Sequence, residues 1–268
     1  MPDGHEGKPV LNLPVSLRYD RDGEVAILRL ARPEKRNALD DATVRGLGGF
    51  FADPPEGIRA AVIHGEGDHF SAGLDLSSLT ERDTEAGIFH SRAWHAAFEQ
   101  IEFGRLPTVA VLHGAVVGGG LELAASTHIR VAEASAFYAL PEGSRGIYVG
   151  GGASVRLSKL IGVARMMDMM LTGRTYGADE GQTVGFAQYL VGAGEGLAKA
   201  VALAHRTAEN APLTNFAILQ ALPRIAAADP AAGLLMESLM SAIAQGSDEA
   251  KLRLRDFLAG RAAKVSHS

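Results

Sequence analysis

The stretch "TVAVLHGAVVGGGLELAAS", residues 108–126, decides the fold because it joins three different kinds of backbone. Its first residues are apolar and rich in β-branched side chains, which is typical of a buried strand. Three consecutive glycines follow, Gly118 to Gly120, and then an apolar run predicts a short helix around residues 121–125. One carboxylate, Glu122, stands inside that run. Both the glycines and the charge need a reason.

The glycine turn has two possible purposes. Glycine lets bare backbone approach a ligand closely, and the amides at a helix N-terminus favour negative charge. That arrangement suits an anion, or a carbonyl oxygen that gains charge during a reaction. The alternative is that the glycines only allow the strand and the helix to pack tightly.

Glu122 is unusual because its neighbours Leu121, Leu123 and Ala124 are apolar. Removing a carboxylate from water is costly, so such a group tends to be protonated or functional. A similar pattern recurs in "ALPEGSRGIYVGGGAS", residues 139–154, where Glu142 precedes a second group of glycines. By itself Glu142 reads as a carboxylate that complements a helix dipole. Beside Glu122, it predicts a second carboxylate in the same cleft.

Several other functions are disfavoured by missing motifs. The dinucleotide-binding G-x-G-x-x-G, the phosphate-binding G-x-x-x-x-G-K-[ST], the G-x-S-x-G nucleophile elbow and the H-E-x-x-H zinc motif do not occur. The nine histidines do not cluster at metal-ligand spacing, so no metal site is expected.

Composition narrows the partners and the compartment. The 268 residues carry a net charge of -5 and form no basic stripe, so no nucleic-acid partner is expected. No apolar run approaches the roughly 20 residues of a membrane span, so no membrane partner is expected. The first residues, "MPDGHEGKPVLNLP", lack the apolar core of a secretory signal, and there is no cysteine. These features predict a cytoplasmic protein.

The order of elements predicts a mixed α/β chain with a helical end. We expect a flexible arm over residues 1–13, a core over 14–200 and a helical oligomerisation region over 201–268. A hairpin is expected at Asp22-Gly23. Helices are predicted at residues 152–161, 163–172, 178–185, 195–209, 212–227, 231–245 and 247–262. In the earlier helix around residues 87–106, Phe89, Trp94, Phe98 and Ile101 are predicted to share one core-facing side.

Four blocks in order resemble the enoyl-CoA hydratase/isomerase, or crotonase, superfamily from about residue 15 to 262. They are "RPEKRNALD" (32–40), "HFSAGLDL" (69–76), "HGAVVGGGLELA" (113–124) and "LPEGSRGIYVGGGASVRL" (140–157). The resemblance implies a spiral of ββα turns with a C-terminal helical trimerisation region, assembled as a homotrimer or a dimer of trimers. It also implies an acyl-CoA substrate and no separate cofactor, because coenzyme A is part of the substrate.

The resemblance assigns roles by position. The backbone N–H groups of Leu74 and Gly119 become the donors that hold the thioester carbonyl, although alanine is usual where Leu74 stands. Glu122 and Glu142 match the two catalytic glutamates of the hydratases. The CoA-binding positions are Ala38, Ala72 and Leu76, with Arg261 or Lys264 as candidates for the phosphates unless they are only surface cations.

Departures from the family pattern bear on specificity. Dienoyl-CoA isomerases have an aspartate at the position of Gly150, which argues against their reaction here. Tyr148-Val149 stands where proline is common, so Arg145 and Tyr148 are expected in the acyl pocket, unless they serve local packing. There they could recognise a polar or aromatic acyl group or assist a hydratase–lyase reaction. His113 replaces a more usual asparagine and is expected to be a structural hydrogen-bonding residue.

The leading hypothesis is an enoyl-CoA hydratase that adds water across the C2=C3 bond of a trans-2-enoyl-CoA. The alternatives are a Δ3,Δ2-enoyl-CoA isomerase, or a CoA-dependent hydratase–lyase or hydrolase of the same superfamily. Outside enzymes, the chain could be an inactive acyl-CoA-binding scaffold.

Overall fold

The computed structural model describes residues 12–78 and 83–261 and divides the chain into two compact units, Met1–Ala208 and Glu209–Ser268. Most of the predicted N-terminal arm therefore lies outside the described residues. The predicted boundary at residue 200 falls inside helix α7 (Gly196–Ala208), which belongs wholly to the first unit.

The first unit begins with the predicted hairpin. Strand β1 (Leu17–Asp22) pairs antiparallel with β2 (Val25–Leu30), and Asp22 lies opposite Val25. Gly23 takes a φ of 59° in the turn, a conformation that glycine adopts without steric cost. The Asp-Gly signal in the sequence is confirmed.

A six-stranded sheet continues from the hairpin. Its further strands are β3 (Ala60–Gly65), β4 (Thr108–Leu112), β6 (Ile129–Glu133) and β9 (Tyr189–Val191), in the order β1-β2-β3-β4-β6-β9. All pairs after the hairpin are parallel. Parallel strands covered on both faces read as continuous apolar runs, which is why "TVAVL" showed no alternation.

A second, three-stranded sheet collects the short strands that follow the long ones. It contains β5 (Ala115–Val117), β7 (Phe137–Ala139) and β8 (Tyr176–Gly177), in that order. A parallel bridge joins Ser71 to Val116. The chain thus repeatedly places one strand in the large sheet, one short segment beside the small sheet, and then a helix. This is the spiral of ββα turns that the resemblance implied.

Among residues 12–78 and 83–208, seven helices fill the space around the sheets. They are α1 (Asp41–Ala52), α2 (Thr84–Glu102), α3 (Gly119–Ser126), α4 (Ala153–Ile161), α5 (Val163–Thr172), α6 (Ala178–Val184) and α7. Side chains cap α1 and α2: Asp40 accepts a hydrogen bond from Thr43 N, and Asp83 from Ala86 N. Helix α7 packs on the large sheet, where Leu203 and Ala204 join Val62, Val109 and Val131.

One predicted core residue of α2 is wrong. Trp94, Phe98 and Ile101 are buried, but Phe89 is 65% exposed. At about 100° per residue, Phe89 lies about 140° around the helix from Trp94, so it cannot share the buried side.

The second unit is helical, as predicted, but its first helix is interrupted. Instead of one helix over 212–227, there are α8 (Pro212–Phe216), a wide π-type turn (Ala217–Ala221) and α9 (Leu222–Ile225). Pro223 has no N–H for a bond to the preceding turn and its ring crowds that turn, which accounts for the irregularity.

Two longer helices follow in the described part of this unit, α10 (Pro230–Gly246) and α11 (Asp248–Leu258). Asp229 caps α10 by accepting from the amides of Ala231 and Ala232. In the described part of the chain, no helix combines the length and the apolarity needed to cross a membrane.

Candidate active site

The glycine turn between β5 and α3 forms the first wall of the site. Gly118 caps α3 with φ 51° and ψ -123°, a backbone conformation that only glycine adopts readily. A Cβ atom at this position would also lie 2.6 Å from Glu142 Oε1. The turn therefore needs glycine both for its shape and for the approach of Glu142.

The amides of Leu74 and Gly119 lie beside each other. A parallel bridge fixes the Leu74 segment, with Leu39 N donating to Gly73 O at 2.7 Å and Asp75 N donating to Leu39 O at 2.8 Å. A Cβ on Gly119 would lie 3.3 Å from Leu74 N. Across residues 12–78 and 83–261, neither amide donates a hydrogen bond to another protein group. Both remain available to a ligand.

Glu122 is the buried carboxylate of α3, with 4% of its surface exposed. Its Oε1 accepts hydrogen bonds from Gly151 N at 2.7 Å and from Ala153 N at 3.1 Å. Burial raises the pKa of Glu122, while these two amides and the Arg156 guanidinium act in the opposite direction. The second glycine turn therefore provides donors for this carboxylate.

Glu142 precedes the short turn Gly143–Arg145 and is 8% exposed. Burial raises the pKa of its carboxyl to about 7, and the nearby charge of Glu122 adds to that rise. Its Oε2 is buried without a hydrogen-bond partner among the described residues. A protonated carboxyl with one oxygen unengaged is suited to donating its proton to a ligand.

These groups line one cavity of about 370 Å³. Its walls contain both predicted amides and both glutamates, together with Ala72, Leu76, Gly87, His90, Ser91, Trp94, Val117, Gly118, Arg145, Ile147, Tyr148, Val149, Gly150 and Gly151. The lining is mostly apolar, and the polar groups converge at the two glycine turns. The volume and lining are typical of a small-molecule site.

The face of α2 that lines the cavity was missed by the sequence analysis. Trp94 was predicted as core, and it is 4% exposed, but it also forms a cavity wall. A Cβ on Gly119 would lie 3.0 Å from the Trp94 ring. Asp41 holds the indole, since its Oδ1 accepts from Trp94 Nε1 at 3.2 Å and lies 2.8 Å from His90 Nε2. The spacing of residues 87, 90, 91 and 94 on one helical face was the available signal.

Arg145, Tyr148 and Gly150 also line the cavity. Tyr148 is 69% exposed, and its hydroxyl accepts from Ser154 Oγ at 3.1 Å. The carbonyl of Gly150 accepts from Ser91 Oγ at 2.6 Å. Gly150 thus contributes backbone to the wall and no side-chain chemistry.

Of the predicted CoA positions, Ala72 and Leu76 line the cavity, whereas Ala38 does not. Ala38 lies in the neighbouring loop, where its carbonyl accepts from Arg32 at 3.0 Å. Arg32 also donates to Asp75 at 2.6 Å. Hydrogen bonds from Ser77 and then Arg32 hold the pKa of Asp75 well below its usual range, so this loop is fixed by an ionised carboxylate.

The remaining predicted residues lie elsewhere. Arg261 belongs to the second unit and donates from two guanidinium nitrogens to Asp256 Oδ1, at 3.0 and 2.6 Å. Lys264 lies outside the described residues. His113 Nε2 lies 3.1 Å from Gly67 O, the type of contact expected of a structural histidine. No cluster of three or more histidine or acidic side chains in the described ranges could hold a metal ion.

Comparison with known proteins gives a consistent result. The family model "Enoyl-CoA hydratase/isomerase" matches residues 20–263. A protein of Bacillus subtilis (strain 168), named a probable enoyl-CoA hydratase, is 32% identical over 253 residues, which cover 92% of this chain and 96% of that protein.

Solved structures show the same likeness. One from Rhodopseudomonas palustris CGA009, provisionally named an enoyl-CoA hydratase, is 61% identical with a TM-score of 0.90, covering 93% of this chain and 97% of that chain. One from Thermobifida fusca YX, provisionally given the same name and solved with acetoacetyl-CoA, is 26% identical with a TM-score of 0.77. That match covers 85% of this chain and 94% of the other. The predicted fold class, a ββα spiral followed by C-terminal helices, is confirmed.

Proposed function

Because the chain belongs to the enoyl-CoA hydratase/isomerase family, we propose that it adds water across the C2=C3 bond of a trans-2-enoyl-CoA thioester. One observation carries the proposal. Two unengaged amides and two buried glutamates, from three separate segments of the chain, line the same cavity of about 370 Å³.

The amides of Leu74 and Gly119 receive the thioester carbonyl oxygen. Attack on C3 moves the π electrons towards this oxygen, so its negative charge grows in the transition state. Preformed donors stabilise that charge, and one such donor contributes about 3 kcal/mol in comparable sites. The Trp94 ring lies against Gly119 and supports the glycine turn.

The two glutamates divide the proton transfers. Glu122, whose Oε1 accepts two backbone hydrogen bonds, acts as the carboxylate that takes a proton from water. Glu142, with its pKa raised to about 7, acts as the acid that gives a proton to C2. A C3–O bond and a C2–H bond form, the C2=C3 π bond is lost, and one proton returns from Glu122 to Glu142 to restore the site.

The acyl-CoA ligand has independent support. A relative of this fold was solved with acetoacetyl-CoA, which carries the same thioester. Hydration of an enoyl thioester requires no redox chemistry and no metal ion. Arg145 and Tyr148 on the cavity wall favour an acyl group with a polar or aromatic substituent.

The alternative reactions use these groups differently. An enoyl-CoA isomerase needs one carboxyl that moves a proton between two carbons, so the second buried glutamate favours hydration. A hydratase–lyase or a hydrolase would also use the two amides, and Arg145 or Tyr148 could assist it. A scaffold would bind acyl-CoA without turnover.

The proposed assembly is a homotrimer or a dimer of trimers. Helix α10 exposes Leu234, Leu235, Leu239 and Ile243, and contiguous exposed apolar surface marks an interaction site. Light scattering at micromolar concentration tests the assembly, and a monomer would contradict it.

The proposed reaction is tested with purified protein and enoyl-CoA esters of several chain lengths and aryl types. Hydration removes the conjugated double bond, so absorbance decreases and the 3-hydroxyacyl-CoA appears by mass spectrometry. Double-bond migration without uptake of water would indicate the isomerase. Binding without turnover of any ester would indicate the scaffold.

A further inference from the structure

A buried ion pair next to the site has no part in the reaction described so far. Arg156 of α4 is 9% exposed, and its Nε donates to Glu102 Oε2 at 2.5 Å. Burying a guanidinium is costly even when it is paired, and a pair of apolar residues would often serve stability as well. The position of this charge therefore needs a reason.

The guanidinium is bound to the same residue that binds Glu122. Arg156 Nη1 donates to Gly151 O at 3.0 Å, and Gly151 N donates to Glu122 Oε1 at 2.7 Å. Gly152 has a φ of 107°, and a Cβ there would lie 2.2 Å from Arg156 Nη1. The second glycine turn is thus held between the guanidinium on one side and the carboxylate on the other.

The positive charge of Arg156 also acts on Glu122, in addition to the hydrogen bonds that hold the turn. In a dry site a nearby cation favours the ionised form of a carboxylate, and Arg156 lowers the pKa of Glu122 against the effect of burial. Other charged or titratable groups lie on the elements packed against α3 and α4. They are Glu85, His90, Arg92, His95, Glu99 and Glu102 on α2, Glu142 and Arg145 before α4, Lys159 on α4 itself, and Arg165 and Asp168 on α5. Burial, Arg156 and Arg92 all lower the pKa of His95.

We propose that Arg156 is a positioning residue that fixes the turn at residues 150–153 and stabilises the negative charge of Glu122 through it. Glu102 moderates this effect, because its own negative charge pairs with the guanidinium. The inference rests on the proposed hydration only in naming Glu122 as the base. The electrostatic effect itself is independent of the substrate.

The primary experiment is a pH profile of kcat/KM for the wild type and for Arg156→Met. Removing the cation makes Glu122 harder to ionise, so the acidic limb should move up by about one pH unit. Arg156→Lys keeps a positive charge and should restore most of that shift. Glu102→Gln keeps the guanidinium but removes its counter-charge, so the limb should move down in pH. This opposite sign distinguishes the proposal from general damage to the site.

Two matched controls separate charge from structure. Ser91→Ala removes the 2.6 Å hydrogen bond to Gly150 O on the same turn without changing charge. It should lower kcat and leave the acidic limb in place. Arg92→Gln removes an exposed cation of α2 and should also leave the limb in place. A shift in either control as large as that of Arg156→Met would overturn the proposal.

A direct titration separates this inference from the proposed function. Carboxyl signals of 13C-labelled glutamate are followed by NMR or infrared spectroscopy, and Glu122→Gln identifies the Glu122 signal. If the wild type hydrates no enoyl-CoA, the proposed function fails, and an upward shift in Arg156→Met still supports the electrostatic effect. If Glu122 titrates at the same pH in the wild type, Arg156→Met and Glu102→Gln, the inference is wrong. If Arg156→Met does not fold, the titrations of Arg156→Lys and Glu102→Gln test the inference. A Glu122 signal that titrates at the wild-type pH in Glu102→Gln would then contradict it.

Discussion

The two glycine-rich turns of this protein look alike in sequence but serve different anions. Each leads into a short helix, residues 118–120 into α3 and residues 150–152 into α4. At the first turn, the Gly119 amide has no acceptor among the described residues. At the second, the amides of Gly151 and Ala153 donate to Glu122.

This difference shows that a glycine turn at a helix start predicts an anion but not its identity. The anion of the first turn is a ligand atom, under the proposed function, and the turn lines an open cavity. The anion of the second turn is a side chain of the protein, and Ser91 and Arg156 hold that turn by its carbonyls. Under the proposed function, the first turn binds the ligand, and the second turn positions Glu122, which takes part in the reaction.

The largest effect is expected from replacing either of the two glutamates, Glu122 at the second turn or Glu142 before it. Glu122→Gln and Glu142→Gln should each keep the fold and acyl-CoA binding and lower kcat by about 10²- to 10⁴-fold. The double variant should lose less than the product of the two, because the pair acts as a unit. Steady-state hydration kinetics and calorimetric binding measure both. Unchanged hydration in both single variants would remove the glutamates from the mechanism, and one near-normal variant would favour the isomerase.

The next effect tests the first turn. Gly119→Pro removes the amide at the first position of α3, where proline is tolerated, and should lower kcat by about 10²- to 10³-fold. Gly119→Ala is the matched control, because it adds the Cβ that meets Trp94 but keeps the N–H. Most of the loss in kcat should occur in Gly119→Pro and not in Gly119→Ala. Equal losses in both variants would show that contact with Trp94 matters and the amide does not.

The pH dependence distinguishes the two carboxyls. Glu142 must be protonated to donate, and its pKa is raised to about 7, so the acid form is present below that pH and is lost above it. We expect kcat/KM to fall about tenfold per pH unit on the alkaline side. In Glu122→Gln the neighbouring negative charge is gone, so this limb should move to lower pH. A limb that does not move would contradict the coupling of the two groups.

A smaller effect is expected at the side chain of Leu74, whose amide is the other proposed donor to the thioester carbonyl. Leu74 lines the cavity, so Leu74→Ala should widen the acyl pocket and keep the amide. Turnover should shift towards bulkier acyl groups by roughly tenfold, as for a change of one or two methylenes. The ratio of kcat/KM for a branched and a linear enoyl-CoA measures the shift. An unchanged ratio would show that the acyl group does not contact the Leu74 side chain.

The last effect concerns stability. The pKa of Glu142 rises from 4.5 in the unfolded chain to about 7 in the fold, so its contribution to stability is present below pH 4.5 and is lost as pH rises through 7. The full penalty above pH 7 is about 3 kcal/mol. Glu142→Gln should therefore have a higher Tm relative to the wild type at pH 8 than at pH 5. Calorimetric scans at both pH values test this, and a pH-independent difference would contradict it.

The local elements could be predicted because their causes are local. The Asp-Gly hairpin and the apolar run of β4 depend on a few adjacent residues. The predicted helix over 212–227 is helical over 212–225, but a π-type turn interrupts its regularity because Pro223 has no N–H and its ring crowds the preceding turn. Phe89 is exposed, against expectation, because it lies about 140° around α2 from Trp94.

The sequence by itself determined the ββα elements, the two glycine turns, one carboxylate among apolar neighbours at Glu122 and a second carboxylate, Glu142, before the second turn. Tertiary structure decided which amides stay free and which bind Glu122, since Gly151 and Glu122 are 29 residues apart. It also brought Trp94 against Gly119, and Arg156 and Glu102, 54 residues apart, into one buried pair. Hydrogen bonds and desolvation depend on which atoms lie within a few ångströms, and only the packed fold sets those distances.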